Sequence, residues 1–408
     1  MKCRFCQTEL SHVFADLGTA PPSNSFLTKE QLNAPEVYYP LKVWVCHCCF
    51  LVQLDEFKKS TEIFSEDYVY FSSVSTSWLD HSRKYVHKMR EKLPLTSNSF
   101  VIEIASNDGY LLQYVKECGI KCLGIEPTSS TAKVAREKGI DVLESFFGTA
   151  LAGELKNTGR QADLLLGNNV LAHVPDINDF VEGLKIALKP TGTVTMEFPH
   201  LLKLVTGRQF DTIYHEHYSY LSFSTVNKIF AAHGLAMYDV EEIPTHGGSL
   251  RIFAKHASNE AITVSDAVAK LLEQERQVGI LTPAYYDGFP KKIEAIKNDF
   301  VEFLITQKRA RKKVAAYGAA AKGNTLLNYA GIRNDFIGFV ADRAESKQGK
   351  FLPGSRIPVV NEDLLKEQQP DFVVIFPWNI RDEVEKQLAY IRDWDGRFVT
   401  AIPELKVW

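Results

Sequence analysis

The stretch Phe100 to Leu112, FVIEIASNDGYLL, constrains the fold more than any other part of this 408-residue chain. Four apolar residues among Phe100 to Ile104 have the composition of a buried strand. Ala105, Ser106, Asn107, Asp108 and Gly109 follow as a turn, before a helical pattern from Tyr110. In an open α/β sheet, ligands sit outside the carboxyl ends of the strands, where the first turn brings backbone N–H groups and a helix N-terminus to the ligand. Glu126 comes 23 residues after Glu103 and closes the apolar run Cys122 to Ile125. An acid at the end of a second strand can accept hydrogen bonds from a ribose. The pattern implies a nucleoside-bearing cofactor, although the same residues would also serve an ordinary βα turn.

A dinucleotide fingerprint needs three glycines, because the backbone must crowd a pyrophosphate; this turn offers only Gly109, with Ala105 and Asn107 at the other two positions. The order E-x-A-x-N-x-G instead resembles the first motif of class I S-adenosylmethionine methyltransferases, usually E/D-x-G-x-G-x-G. Strand and helix patterns then alternate, with strands expected at Phe100–Ile104, Lys121–Ile125, Asp141–Leu143, Ala162–Leu166 and Gly192–Phe198. Two further β-rich runs, Leu235–Ile243 and Gly248–Lys255, are joined through His246, Gly247 and Gly248. Seven strands with a late hairpin match the element order of class I methyltransferases. In that fold the end of the fourth strand borders the cofactor, which implies a place there for Asn168 and Asn169, with His173 just beyond.

Five of the seven cysteines fall in the first 49 residues. Cys3/Cys6 and Cys46/Cys49 form two C-x-x-C knuckles that can supply four thiolates to one structural Zn²⁺, leaving Cys48 surplus. A redox C-x-x-C is the alternative, but no thioredoxin-like βαβ pattern surrounds either pair. Pro21, Pro22, Pro35 and Pro40 predict an irregular segment between the knuckles, one that needs a metal staple. The following stretch contains Tyr68 and Tyr70, which face one side of an extended segment and reach a cleft or pack on a neighbour.

A net charge of −3 with interspersed signs gives no basic footprint for nucleic acid, and no apolar run is long enough to span a bilayer. The N-terminus has no apolar signal-peptide core, so the expectation is a cytoplasmic monomer. From Glu260 to Lys312 the pattern is helical, and a second strand–turn–helix then appears as KKVAAYGAAAKGNTLLNY. Strands are expected at Val314–Tyr317, Phe336–Val340, Ile357–Val360, Asp371–Phe376 and Arg397–Ala401. Lys322 with Asn324 could hold a phosphate on a helix N-terminus, or the unit could serve packing alone.

Between the fifth strand and the next helix lies RQFDTIYHEHYSYLS, in which Tyr214, His215, Glu216, His217 and Tyr218 form a polar row. Two histidines two apart do not suit a zinc-protease helix, so the row reads as a general acid/base cluster or a solvated loop.

Together the cysteine knuckles, VIEIASNDGYLLQ, GIEPT, NNVLAHVPD, FDTIYHEHYSYLS, THGGSLR and YGAAAKGNTLLN resemble, in order along the whole chain, the S-adenosylmethionine-dependent sugar 3-C-methyltransferases. These act on nucleotide-linked 4-keto-deoxysugars. Two departures stand out: Phe50 follows Cys49 where glycine is usual, and Cys48 is extra. The resemblance implies an α/β chain in three parts: a zinc-binding domain (1–75), a class I methyltransferase domain (76–258) and a C-terminal Rossmann-like domain (259–408) that binds the nucleotide sugar, dTDP-linked. It implies Glu103, Ala105, Asn107, Gly109, Tyr110, Glu126, Pro127, Asn168 and Asn169 as cofactor contacts. Tyr68, His173, His246, Arg251, Lys322 and Asn324 are implied as substrate contacts. The implied base is His217, with Glu216 as its orienter and Tyr214 as a donor to the enolate. On an extended chain Tyr214 and Glu216 would face one way and His215 and His217 the other, and spacing alone does not decide between the histidines. A methyltransferase for another small molecule, or a non-catalytic sugar-nucleotide-binding protein, is the competing reading.

Overall fold

The computed structural model describes residues 1–59 and 71–408, so Tyr68 and Tyr70 lie outside the described residues. Three sheets organise the described residues. The first contains β1 (His12–Ala20), β2 (Tyr39–Val45) and β3 (Val52–Leu54), all antiparallel. The expectation of an irregular segment between the cysteine knuckles is therefore corrected. Pro21, Pro22 and Pro35 fall in the β1–β2 connection, and Pro40 pairs with Thr19 at an end of β2 that β3 does not reach. At such an edge a missing N–H breaks no ladder bond.

The central sheet is built from β4 (Phe100–Ile104), β5 (Lys121–Ile125), β6 (Val142–Leu143), β7 (Ala162–Asn168) and β8 (Leu188–Pro199). A two-residue strand, β9 (Ser219–Tyr220), then leaves this unit and pairs with β3, Val52 opposite Tyr220 and Gln53 opposite Ser219. Strands β10 (Leu235–Ile243) and β11 (Ser249–His256) complete the sheet in the order β10-β11-β8-β7-β4-β5-β6. From β4 the chain runs outward through β5 and β6, then returns to β7 on the other side. The switch point lies between the carboxyl ends of β4 and β7, where a crevice opens. The inner strands β4, β7 and β8 are buried on both faces over most of their length, as in a parallel sheet covered on both sides.

The third sheet comprises β12 (Val314–Tyr317), β13 (Val340–Ala341), β14 (Val359–Val360), β15 (Phe372–Ile375), β16 (Arg397–Thr400) and β17 (Lys406–Val407), with only β17 antiparallel. The strand expected from Phe336 forms only at Val340–Ala341. One apolar core joins the first and third sheets: Phe14 of β1 stacks on Phe289, 4.5 Å between ring centres, at the start of the helix Phe289–Arg309. Among the described residues no helix is long and apolar enough to cross a membrane.

The four knuckle sulfurs converge, with Cys3 Sγ 3.5 Å from Cys49 Sγ, Cys6 Sγ 3.5 Å from Cys46 Sγ, and all four within 4.8 Å of one another. Zn–S bonds of about 2.3 Å put tetrahedral sulfurs about 3.8 Å apart, so the set fits a structural zinc. Without a cation the thiols are in conflict. The Cys49 hydrogen bond draws Cys3 down to about 4, while Cys49 is pushed up by Cys3 and Cys46 by burial. A divalent ion would let all four ionise. Each knuckle ends in a left-handed residue, Gln7 (φ 61) and Phe50 (φ 65), whose N–H returns to the carbonyl of Cys3 (3.0 Å) or Cys46 (2.9 Å). Glycine is easiest there, so Phe50 keeps the geometry at a local cost of about 1–2 kcal/mol. Cys48 is exposed and outside the set. Metal analysis should find about one zinc per chain, and Cys46→Ser should lose both the metal and solubility. A zinc-free protein that melts like the loaded one would overturn this.

Candidate functional site

The crevice above β4 and β7 deepens into a cleft of about 1210 Å³ lined by all three units. On the central sheet the turn after β4 explains the unusual E-x-A-x-N-x-G. Ala105 (φ 55), Asn107 (φ 49) and Gly109 (φ 74) are all left-handed, so the backbone demand of the glycine-rich motif is met with two side-chain-bearing residues. Ala105, Asn107 and Tyr110 line the cleft. Gly109 does not: a Cβ there would fall 2.4 Å from Ile140, so its role is close packing of the turn.

Glu126, at the end of β5, lines the cleft beside Pro127. Its Oε2 accepts the Asn107 N–H (2.9 Å) and its Oε1 the Thr128 N–H (3.0 Å). Burial raises its pKa and these bonds oppose the rise. Each oxygen keeps a second lone pair for a ligand hydroxyl. Glu103 is fully buried, and burial pushes it well above the usual carboxylate range against the pull of Tyr110. It is buried within β4 and does not line the cleft, which corrects its expected role as a contact. Asn168 and Asn169 line the cleft, and Asn169 Nδ2 lies 2.8 Å from His246 Nε2.

The row Tyr214 to Tyr218 is a buried turn, neither an extended strand nor a solvated loop. The His217 N–H donates to the Tyr214 carbonyl (2.9 Å), folding the two residues together. The Tyr214 hydroxyl then reaches His217 Nε2 at 2.7 Å, so the alternation expected of an extended chain is overturned. Tyr214, Glu216 and His217 face the cleft, while His215 turns away to the Pro40 carbonyl (3.2 Å). His217 Nδ1 lies 2.8 Å from the Thr212 carbonyl, which only a protonated nitrogen can bond. The orienter of His217 is therefore Thr212, and the expected pairing with Glu216 is corrected: Glu216 Oε2 accepts from Asn24 Nδ2 at 2.6 Å. Burial pushes Glu216 up to about 7. Burial, with neighbouring His173, holds His217 well below the usual histidine range. His173 is lowered to about 4 by burial, and its ring lies 4.7 Å from that of His217.

On the third unit Lys322 lines the cleft, donating to Asn379 Oδ1 (2.7 Å) with its Nζ 4.6 Å from the Trp378 ring. Trp378 Nε1 donates to Asp211 Oδ2 at 2.7 Å, and burial pushes Asp211 up to about 6. Gly247 makes room for this contact, since a Cβ there would lie 2.5 Å from Trp378. Two expected substrate contacts are corrected. Arg251 is buried under the sheet end, bonded to Glu197 Oε2 (3.0 Å) and stacked over Tyr85. Asn324 is buried and donates to the Ser23 carbonyl (2.6 Å), joining the first and third units.

Sequence reasoning missed the loop between β1 and β2, which supplies Asn24, Phe26, Thr28 and Gln31 to the cleft wall. This loop is held on the third unit by paired backbone bonds between Leu27 and Phe351 (2.9 and 2.8 Å). Trp78, stacked on His81 and Tyr110, was also missed. Nothing local in PPSNSF or in the helix carrying Trp78 signals a cleft.

Three family models match the chain: "Putative zinc binding domain" at residues 3–64, "Methyltransferase domain" at 79–240 and "C-methyltransferase C-terminal domain" at 244–403. The chain is 33% identical over 406 residues to C-methyltransferase NovU of Streptomyces niveus, covering 100% of this chain and 96% of that protein. It is 24% identical over 154 residues to a ubiquinone biosynthesis O-methyltransferase of Bartonella tribocorum, covering 32% and 62% respectively. An S-adenosylmethionine-dependent methyltransferase structure from Mesorhizobium loti superposes with a TM-score of 0.35 at 15% identity, covering 44% of this chain and 100% of that one.

If Glu126 holds the cofactor ribose, Glu126→Gln should weaken S-adenosylmethionine binding by about 1–3 kcal/mol, the cost of a hydrogen bond to a charged acceptor. Unchanged affinity by calorimetry would remove Glu126 from the site.

Proposed function

Because this chain belongs to the S-adenosylmethionine-dependent C-methyltransferases, we propose that it methylates C3 of a nucleotide-linked 4-keto-deoxysugar, dTDP-linked, through an enolate formed by His217. A carbon attacks a methyl sulfonium only after deprotonation, and a C–H is acidic only beside a carbonyl. When bound, S-adenosylmethionine supplies the electrophilic methyl group. Asn107, Tyr110, Glu126 and Asn168, which line the cleft around the turn after β4, would hold the cofactor. The nucleotide portion extends toward Lys322, and the sugar lies before the histidine turn.

The observation that carries this reading is the pair of bonds on the His217 ring. Nδ1 bonded to the Thr212 carbonyl fixes the tautomer with an unprotonated Nε2, and Tyr214 donates to that nitrogen. A sugar 4-keto oxygen that draws the Tyr214 hydroxyl to itself would leave the Nε2 lone pair facing the C3 proton. Tyr214 would then stabilise the enolate oxygen while His217 holds the proton. Burial keeps His217 neutral, so the base is in its competent form across the neutral range.

Wild-type protein in D₂O with a 4-keto sugar nucleotide should exchange the C3 proton even with the demethylated cofactor. In His217→Asn, exchange and methylation should both fall by about 10²–10⁴ while cofactor binding survives. NMR of the product locates the methyl; transfer to oxygen or nitrogen, or a wild-type rate in His217→Asn, would defeat the reading.

The pH profile gives a separate test. A depressed histidine pKa leaves the free enzyme competent until pH falls below the ordinary histidine value, so the acid limb of kcat/KM should lie below about 6.5. A limb near 7 that disappears in Glu216→Gln would move the base to Glu216, whose carboxyl burial pushes up to about 7.

A further inference from the structure

Arg4 sits between the two cysteines of the first knuckle, yet its side chain leaves the metal site. Nη1 donates to the Pro175 carbonyl at 2.6 Å, Nη2 donates to the Leu54 carbonyl, and the guanidinium lies 5.4 Å from the centre of the Tyr218 ring. Pro175 is two residues after His173, and Tyr218 is next to His217. The guanidinium thus touches both segments whose histidine rings meet edge to face at 4.7 Å.

The backbone of Arg4 is fixed as well. Its N–H donates to Gln53 Oε1 (2.9 Å), and Gln53 Nε2 donates to Cys3 Sγ (3.2 Å). Its carbonyl accepts from Asn178 Nδ2 (3.2 Å), in the first turn of the helix Ile177–Ala187 that ends the His173 loop. The acids that act on this guanidinium, Glu56 and Asp55, do so through space and not through a direct hydrogen bond. The hydrogen bonds that its terminal nitrogens make go to the Pro175 and Leu54 carbonyls, so its contribution lies in placement more than in charge pairing. Two carbonyls in a planar fork do give fixed geometry, which a lysine ammonium cannot reproduce.

We propose that Arg4 is a positioning residue for methyl transfer, its knuckle-held guanidinium clamping the Pro175 carbonyl, the Leu54 carbonyl and the Tyr218 ring so that His173 and His217 meet across the cleft. The kinetic part rests on the C-methylation reading above; the spectroscopic part needs no substrate and stands apart from it.

The test uses the full-length, zinc-loaded protein. In Arg4→Lys, zinc content and calorimetric affinity for S-adenosylmethionine should stay at wild-type values. The kcat for methylation should fall about 10–100-fold, the scale of a misplacement near 1 Å. With ring-¹³C histidine, the His173 and His217 signals should move while that of exposed His87 stays. If both signals and kcat are unchanged, the proposal is overturned; if the signals move and no sugar nucleotide is methylated even by wild type, the substrate reading fails and the clamp stands. Should Arg4→Lys lose zinc, Tyr218→Leu removes the platform beneath the guanidinium without touching the knuckle. An unmoved His173 signal in that variant would also overturn the proposal.

Discussion

The pairing of β3 with β9 is the contact on which the site depends. Two residues, Ser219 and Tyr220, leave the central unit to extend the sheet of the zinc-binding unit, and the turn before them carries Tyr214, Glu216 and His217. A two-residue strand has almost no stability of its own. Its conformation is set by β3, which in turn is fixed by Gln53 bonded to Cys3 and by its pairing with β2. The metal site therefore lies in the same continuous structure as the histidine turn. Ser222, just beyond, closes the segment by capping the helix Phe223–Ala232 through the Thr225 N–H (3.1 Å).

Much of this was legible in the sequence because it is local. Two C-x-x-C knuckles and a strand–turn–helix are short patterns whose geometry follows from a few neighbouring residues, and both form as expected. What could not be read is what depends on distant partners. Arg251 looks like a substrate ligand until Glu197, on the adjacent strand β8, claims it. Asn324 looks like a phosphate contact until Ser23, 301 positions earlier, takes its amide. The polar row at 214–218 suggested exposure or alternation; its turn arises from a backbone bond and from β9 pairing, neither of which periodicity reports.

The turn after β4 shows where motif reading succeeds despite a mismatch. The requirement is for three left-handed residues, and glycine is only the cheapest way to meet it. Asn tolerates that region, and Ala105 accepts a strain of about 1–2 kcal/mol. The gain is side-chain function: Asn107 Oδ1 accepts the Ser72 N–H (2.9 Å), tying the entry to the helix Thr76–Lys92 against the cleft. Trp78 on that helix then stacks over Tyr110 and tilts against His246 at 5.2 Å, so the departure from glycine helps to build a wall.

Burial also sorts the titratable groups by charge in a way suited to moving a proton without moving charge far. The histidines on the cleft, His173, His217 and His246, are all driven toward the neutral form, while Glu216 is brought to about 7. One carboxylate behind the wall follows the opposite course. Burial would raise Glu197, but the bond from His81 and the nearby Arg251 outweigh it and hold its pKa down. A lasting negative charge there, shared between His81, Arg251 and the Thr245 hydroxyl (3.0 Å), fixes the loop that bears His246. Around the histidine turn the rings are thus neutral, while a fixed charge is held behind the wall at Glu197 and ionisable groups such as Glu126 and Lys322 line the more distant ends of the cleft. On the reading proposed above, an enolate formed before this turn would meet the Tyr214 hydroxyl in a largely buried setting, where such a hydrogen bond is worth more than in water.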